Sequence, residues 1–348
     1  MNYQNAEIRV LAWPRKTADN PYVELLYQAL SAEGIVAREF SIRDALFGRY
    51  DAVHVHWPEG IISGRGAISA VIASSAQFVV LGWARHVRRK TVLWTVHNLK
   101  PHAVAPRLGE LVVYAGLRAS ISASICLSEF SRSEANRVFP WLAGRPQIVS
   151  LHGRYGASLQ SEPDRSEIRT GLGVSENEFL IAFVGRMEPY KGPDLLADAF
   201  DASLSSGTVR LLFAGRIPAS AYGEELRATL SRVGAIVEDS QLSDERFADL
   251  VRAADLVVYP YRRILNSGSI LMPLEYGTPV LSPAEGSIPE MASLIGEDWL
   301  RTYERPLTAK VLAAGVARPA SGSPNLEVLD WGVIARSLAR FIRQLVRA

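Results

Sequence analysis

The sequence predicts an α/β protein of two doubly wound, Rossmann-like parallel-sheet domains facing each other across a cleft. Three observations predict it. Short apolar runs alternate with helix-length amphipathic segments along the whole chain, the pattern of parallel strands joined by helical crossovers. The alternation is interrupted by one polar stretch, residues 156–169 (GASLQSEPDRSEIR), which reads as a linker. And 348 residues, 48% hydrophobic and 21% charged, suit two soluble domains that each bury a core.

In the first half, residues 8–13, 52–56, 91–96, 124–127 and 147–151 are short apolar runs without polar alternation, as strands covered on both faces are. Residues 21–33 form a helix opened by Asn20 as cap and Pro21 at its first position. Further helices are expected at 67–88, 107–120 and 131–139. The second half repeats the rhythm, with strands at 179–184, 209–214, 235–237, 256–259 and 279–281. Its helices fall at 192–200, 222–233, 244–253 and 269–276. The domains are therefore expected at 1–158 and 168–328. A basic amphipathic helix, 331–346, sits in the closing segment 329–348 and is expected to pack back toward the first domain.

Composition removes several classes. A formal net charge of +2 gives no ground for a nucleic-acid partner. The single cysteine, Cys126, excludes an intramolecular disulfide and a multi-cysteine zinc site. The N-terminal MNYQNAEIRVLAWPRK has no apolar run behind a basic start, so no signal peptide is expected. Residues 67–83 are uncharged but carry serines and a glutamine, and are shorter than the ~20 residues of a membrane span. No Walker loop, no G-x-G-x-x-G after the first strand and no G-x-S-x-G elbow is present.

Two segments of the second half carry chemistry. In Gly185-Arg186-Met187-Glu188-Pro189-Tyr190-Lys191-Gly192, a glycine ends a strand and admits a ligand close to the backbone. Arg186 and Lys191 supply one planar fork and one compact charge, suited to a diphosphate, or else two solvated loop cations. After the strand ending at Tyr259, Asn266-Ser267-Gly268-Ser269 precede a helix expected from Ser269, whose amides and dipole would seat a phosphate. Glu275 lies two turns along that helix, placed for sugar hydroxyls or simply on the surface. Two such features in one sheet favour a nucleoside-diphosphate site.

At this point the chain resembles a family. GR-x-x-P-x-KG followed by a small-residue loop and LE-x-GTPV looks like the donor half of GT-B glycosyltransferases. The order NPY-x-x-LLYQAL, RYDAVHVHWPE, TVHNLKPH, LHGRY, PYKG and NSGSILMPLEYGTPVL is similar to the β-mannosyltransferases of xanthan-type exopolysaccharide assembly. The resemblance covers essentially the whole chain. It implies a mannosyl donor, GDP-mannose, and an acceptor glycan on a polyprenyl diphosphate. Arg186 and Lys191 would then bind the donor diphosphate with the amides of Ser267 to Ser269, at the strand end marked by Gly185, and Glu275 the donor hydroxyls. No cofactor or metal is expected, because cations and amides hold the diphosphate. Retaining relatives carry a glutamate eight residues before the second one; here that position is Ser267, which points to inversion.

An inverting transferase needs a general base near the acceptor hydroxyl. Glu59 and His97 each follow a strand of the first half, where open α/β sheets bind ligands. Either can serve, although Glu59 also fits an ordinary loop carboxylate. His56 and His152 are placed on the acceptor side, and His54 as a hydrogen-bonded core residue. The lipid-linked acceptor implies a cytoplasmic protein, peripheral on the inner face of the plasma membrane. Residues 67–83, beside the cations of 84–90, are the expected contact with an anionic bilayer, or alternatively a buried helix with a solvated basic end. The rivals to this reading are a retaining transferase with another donor, a sugar-nucleotide epimerase and a non-catalytic nucleotide-sugar-binding module.

Overall fold

A computed structural model describes residues 7–17, 20–62, 64–99, 106–156, 164–200 and 208–347. The chain divides into two compact units, Met1–Tyr155 with Val328–Ala348, and Gly156–Glu327. Residues 157–163 of the predicted linker lie outside the described residues. Residues 165–169 are not linker: they begin a helix whose Arg169 is buried and donates to the carbonyl of Ala253 at 2.8 Å. The polarity that suggests a linker includes this arginine, which is sequestered by the carbonyl oxygens of Ala253, Ser175 and Glu178.

Unit 1 runs β1 (Ile8–Trp13), α1 (Tyr22–Ala32), β2 (Ile35–Glu39), α2 (Ile42–Phe47), β3 (Ala52–Val55), α3 (Ala67–Gly82), β4 (Thr91–Val96), α4 (Arg107–Ser120), β5 (Ala123–Cys126), α5 (Glu129–Val138) and β6 (Gln147–Val149). All its strands are parallel, in the order β2-β1-β3-β4-β5-β6. Chain direction across the sheet therefore reverses between β1 and β3, the position at which such sheets bind ligands. The central β3, β4 and β5 are buried at every residue, which is why they read as unbroken apolar runs. The edge strand β2 is half exposed and polar, and escaped the sequence pattern for that reason.

Unit 2 runs α6 (Arg165–Gly171), β7 (Phe179–Val184), α7 (Pro193–Ala199), β8 (Val209–Ala214), α8 (Ala221–Arg232), β9 (Ile236–Glu238), α9 (Asp244–Ala253), β10 (Leu256–Val258), α10 (Leu271–Glu275), β11 (Val280–Pro283), α11 (Ile288–Ile295), β12 (Leu300–Tyr303) and α12 (Ala309–Ala317). Its parallel order, β12-β11-β10-β7-β8-β9, is the dinucleotide-binding arrangement, with the reversal between β7 and β10. The edge strand β12 contains Arg301, buried through bonds from its guanidinium to the carbonyls of Asp298 and Gly315. A buried arginine in a strand leaves no hydrophobic signal.

The last helix, α13 (Trp331–Arg347), belongs to unit 1 and packs on α1. Ala335, Leu338, Ala339 and Ile342 join Leu26, Tyr27 and Leu30 in one buried cluster. Its first residue is pinned: Trp331 Nε1 donates to the carbonyl of Arg154 at 2.7 Å, and the indole fills space that a side chain on Gly153 would occupy.

The helix expected at 67–88 is α3 followed by a π-helical turn, Trp83–Val87. Together, Ala67–Val87 has the length and hydropathy of a membrane-crossing helix. It is instead built into the domain: Ala70, Ser74, Phe78 and Leu81 are buried, and Ala70 and Phe78 meet α4 where Gly109 and Gly116 let the helices approach. Its other face is open, with Ile68 at 79%, Ile72 at 64% and Val79 at 70% exposure.

Candidate functional site

In unit 2 the loops after β7 and β10 leave the sheet side by side at the reversal point. Gly185 takes φ +128° at the end of β7, and the backbone of Gly215 packs so closely on its carbonyl that a side chain there would collide. Lys191 Nζ lies 3.7 Å from where a Gly185 Cβ would be, so the ammonium hangs over the strand end. Gly192, in left-handed conformation at φ +69°, comes against the Pro260 carbonyl, where a Cβ would clash. The amide of Arg262 donates to the carbonyl of Tyr190 at 2.8 Å. The Arg262 guanidinium donates to Pro189 O at 2.9 Å and to both carboxylate oxygens of Asp194, which also accepts from the Tyr222 hydroxyl at 2.8 Å. This fork locks the two loops together, and sequence reasoning missed it because Arg262 and Asp194 are 68 residues apart.

Burial, and then the charge of exposed Arg186, push the Lys191 ammonium down to about 8. Two cations held close on one loop repel each other, and a bound diphosphate would relieve the repulsion. The amides of Ser267, Gly268 and Ser269 donate to no backbone carbonyl among the described residues. The predicted helix start at Ser269 is corrected: Ser269 and Ile270 form a turn, and α10 begins at Leu271 with five residues. Pro273 has no N–H to bond the Ser269 carbonyl, which fits the later start, and a helix of five residues has a small dipole. Ser267 Oγ is shared with the Tyr261 hydroxyl at 2.9 Å, Asn266 is half-buried beside it, and Glu275 is the last residue of α10, half-buried.

Donor binding by this loop predicts a pH signature. Above about pH 8 Lys191 loses its proton, and with it a charge-assisted contact to phosphate. The dissociation constant of a nucleoside diphosphate is expected to rise roughly 10- to 100-fold between pH 7 and 9.5, and Lys191→Ala should raise it by a similar factor at pH 7. Lys191→Arg should remove the break. Isothermal titration across that range checks it, and a flat profile would take Lys191 out of the site.

In unit 1, His54 sits on β3 with both ring nitrogens bonded, Nδ1 to the Tyr27 hydroxyl at 2.6 Å and Nε2 to Thr95 Oγ1 at 2.7 Å. It is fully buried, and burial pushes its pKa down to about 3, so it is a core residue. His56 follows β3 and His97 follows β4; His56 Nδ1 and His97 Nε2 are 3.2 Å apart. The face of Trp57 stacks on His97 at 4.2 Å, and the Tyr22 edge meets it at 5.0 Å. His152 joins the same cluster through Tyr22 at 4.8 Å, with Nδ1 donating to Gly153 O.

Glu59 sits on the short 3₁₀ turn Pro58–Ile61 that leaves β3. Asn98 Nδ2 donates to its Oε1 at 2.9 Å. Burial raises the carboxyl's pKa, and the Asn98 bond offsets part of the rise. A half-buried, oriented carboxylate with a raised pKa is matched to general-base work. Sequence reasoning missed Asn98, whose only signal was its place directly after His97. Among the described residues no group of three His, Cys, Asp or Glu is placed to hold a metal ion.

The basic segment beyond α3 is not uniformly solvated. Arg88 donates to the carbonyls of Leu46 and Gly48 and lies over the Tyr50 ring, which Lys90 also approaches. Arg85 and Arg89 are exposed, as are Arg65 and Arg107 at the opposite ends of α3 and α4.

Residues 178–311 match the family model described as Glycosyl transferases group 1. The chain is similar to GDP-mannose:glycolipid 4-beta-D-mannosyltransferase of Xanthomonas campestris pv. campestris, 27% identical across 90% of this chain and 84% of that protein. It is also similar to D-inositol 3-phosphate glycosyltransferase of Segniliparus rotundus, 29% identical across 62% of this chain and 51% of that protein. Among solved structures it resembles Anabaena Alr3699/HepE in complex with UDP, with a TM-score of 0.62 and 17% identity over 98% of this chain and 97% of the other. At that identity the likeness establishes a shared fold.

Proposed function

We propose that this chain, a glycosyltransferase of the GT-B fold, moves mannose from GDP-mannose to a glycan carried on a polyprenyl diphosphate, with inversion, in exopolysaccharide synthesis. The observation that carries the reading is the stitched pair of loops at the β7/β10 reversal, with Lys191 partly desolvated over Gly185 beside Arg186. Similarity to the Xanthomonas mannosyltransferase along nearly the whole chain supports the choice of donor and acceptor.

In the reaction, an acceptor hydroxyl attacks the anomeric carbon of the donor sugar. Its proton passes to a Glu59 oxygen as the C–O bond forms. The bond to the nucleoside diphosphate breaks, and its electron pair leaves on the phosphate oxygen. Arg186, Lys191 and the amides of Ser267 to Ser269 stabilise that growing charge, a preorganised electrostatic contribution. Ser267 offers no carboxylate to the sugar, and Glu59 is a base on unit 1, so single displacement is favoured over retention. The product of GDP-α-mannose is therefore expected to be β-linked, read from the one-bond coupling of its anomeric carbon and proton. An α-linked product would assign the chain to retaining chemistry.

The lipid-borne acceptor brings a bilayer partner. Ile68, Ile72 and Val79 recur at four and seven residues, one exposed face of α3, and Leu108 and Leu111 extend it on α4. Exposed arginines stand at both ends of this apolar face, the pattern of a helix lying in the headgroup plane of an anionic leaflet. At about 1 kcal/mol per cation, neutralising Arg85 and Arg89 should weaken binding to phosphatidylglycerol vesicles roughly 30-fold in a sedimentation assay. Arg88 and Lys90, engaged with the fold, are left intact. Binding unchanged in that variant would exclude this face as the membrane contact.

A further inference from the structure

We propose that His56 is a positioning residue that fixes His97 in its Nδ1–H tautomer, so that His97 meets an oxygen of the bound sugar substrate as a hydrogen-bond donor and leaves the base role to Glu59. The inference rests on the transferase reading above for its substrate, but the tautomer itself is a property of unit 1 alone.

One proton is shared between the facing nitrogens, His56 Nδ1 and His97 Nε2, 3.2 Å apart. Burial and the neighbouring imidazoles hold both rings neutral, so each carries one N–H. If His97 Nε2 carried the hydrogen and donated, His56 would have to carry its own on Nε2. That atom is buried and has no hydrogen-bond partner, and His56 as a whole is 1% exposed. An orphaned buried N–H is rarer than an under-used acceptor. The hydrogen therefore sits on His56 Nδ1 and points at His97 Nε2, whose lone pair is consumed. What remains on His97 is Nδ1–H. That atom has no partner in the described structure and, unlike His56 Nε2, is not among the enclosed unpaired atoms. Trp57 and Tyr22 pin the ring, so the N–H keeps one direction. A fixed donor at the end of β4 suits a sugar oxygen; it has no lone pair with which to take a proton.

The test is made on the full chain with ¹⁵N-labelled histidine at neutral pH, where long-range ¹H–¹⁵N correlation distinguishes the tautomers. His97, identified by its loss in His97→Gln, is expected as Nδ1–H. In His56→Leu the inward partner is gone, and His97 is expected to revert to the Nε2–H form that free histidine prefers, with kcat/KM falling about tenfold, the worth of one hydrogen bond. His56→Asn places an amide Nδ2 where Nδ1 stood and should restore the tautomer and most of the activity. An Nε2–H His97 in the unsubstituted protein overturns the proposal, as does a tautomer unchanged in His56→Leu. If no transfer to any mannosyl acceptor is found, the transferase reading fails while the spectrum still decides the tautomer.

Discussion

Glu59→Gln is expected to lower kcat by roughly 10²- to 10⁴-fold, the usual contribution of a positioned general base, while donor affinity stays unchanged. The split follows from the proposed roles: Glu59 lies on unit 1 after β3, and the loops proposed to hold the diphosphate lie on unit 2. Glutamine keeps an oxygen to accept from Asn98, so the turn should keep its shape and only the proton acceptor is lost. The pH profile has a defined sign. A base works when ionised, and burial raises the Glu59 pKa, so kcat/KM should fall on the acid side with a limb above the ordinary carboxylate range. Asn98→Ala removes a bond that favours the charged form, and should move that limb to still higher pH. Steady-state kinetics of the two variants from pH 5 to 8 check both statements. Full activity in Glu59→Gln would return the base role to another group.

How much of this was legible in the sequence depended on what each residue does physically. The buried central strands were readable, because a strand covered on both faces must be apolar throughout, as β4 is from Thr91 to Val96. Edge strands were not: β2 shows water the alternate residues Val36 and Arg38, and β12 buries an arginine. Gly185, Arg186 and Lys191 were legible because a glycine at a strand end and two spaced cations are local signals. The Arg262–Asp194 fork was not, since only the fold brings its partners together. His56 and His97 could be placed at strand ends from sequence, but the direction of the proton between them depends on which ring nitrogen is enclosed. The start of α10 was misplaced because small residues that promise a helix cap also make turns.

Acid is expected to destabilise unit 1 steeply before any carboxylate with a lowered pKa titrates. His54 and His56 are 0% and 1% exposed and neutral, with pKa values depressed by burial, to about 3 for His54 and well below the ordinary range for His56. In the unfolded chain both return to about 6.5. Because the folded values are the lower ones, the stability these residues support is whole above about pH 6.5 and drains away as pH falls toward the folded values. Each histidine contributes about 1.4 kcal/mol per pH unit in that window, so the pair contributes about 3. Against a total of about 5–15 kcal/mol for a domain, two pH units remove a large share. Glu59 works in the opposite direction, since its raised pKa adds stability as it protonates, and it offsets part of the loss. Carboxylates held low, such as Asp194 beside Arg262, release their contribution only below the unfolded carboxylate value, at lower pH still. Tryptophan fluorescence isolates unit 1, which holds Trp13, Trp57, Trp83, Trp94, Trp141 and Trp331, whereas unit 2 holds only Trp299. Urea titrations followed by that signal at pH 7, 6 and 5 should show a small loss above about pH 6.5 and below it a fall of at least about 3 kcal/mol per unit less the Glu59 offset, to which His97 and His152, also lowered by burial, add. His54→Gln, although less stable at pH 7, should fall with a slope shallower by about 1.4 kcal/mol per unit. A stability independent of pH between 7 and 5 would mean that these imidazoles are not held neutral inside the sheet.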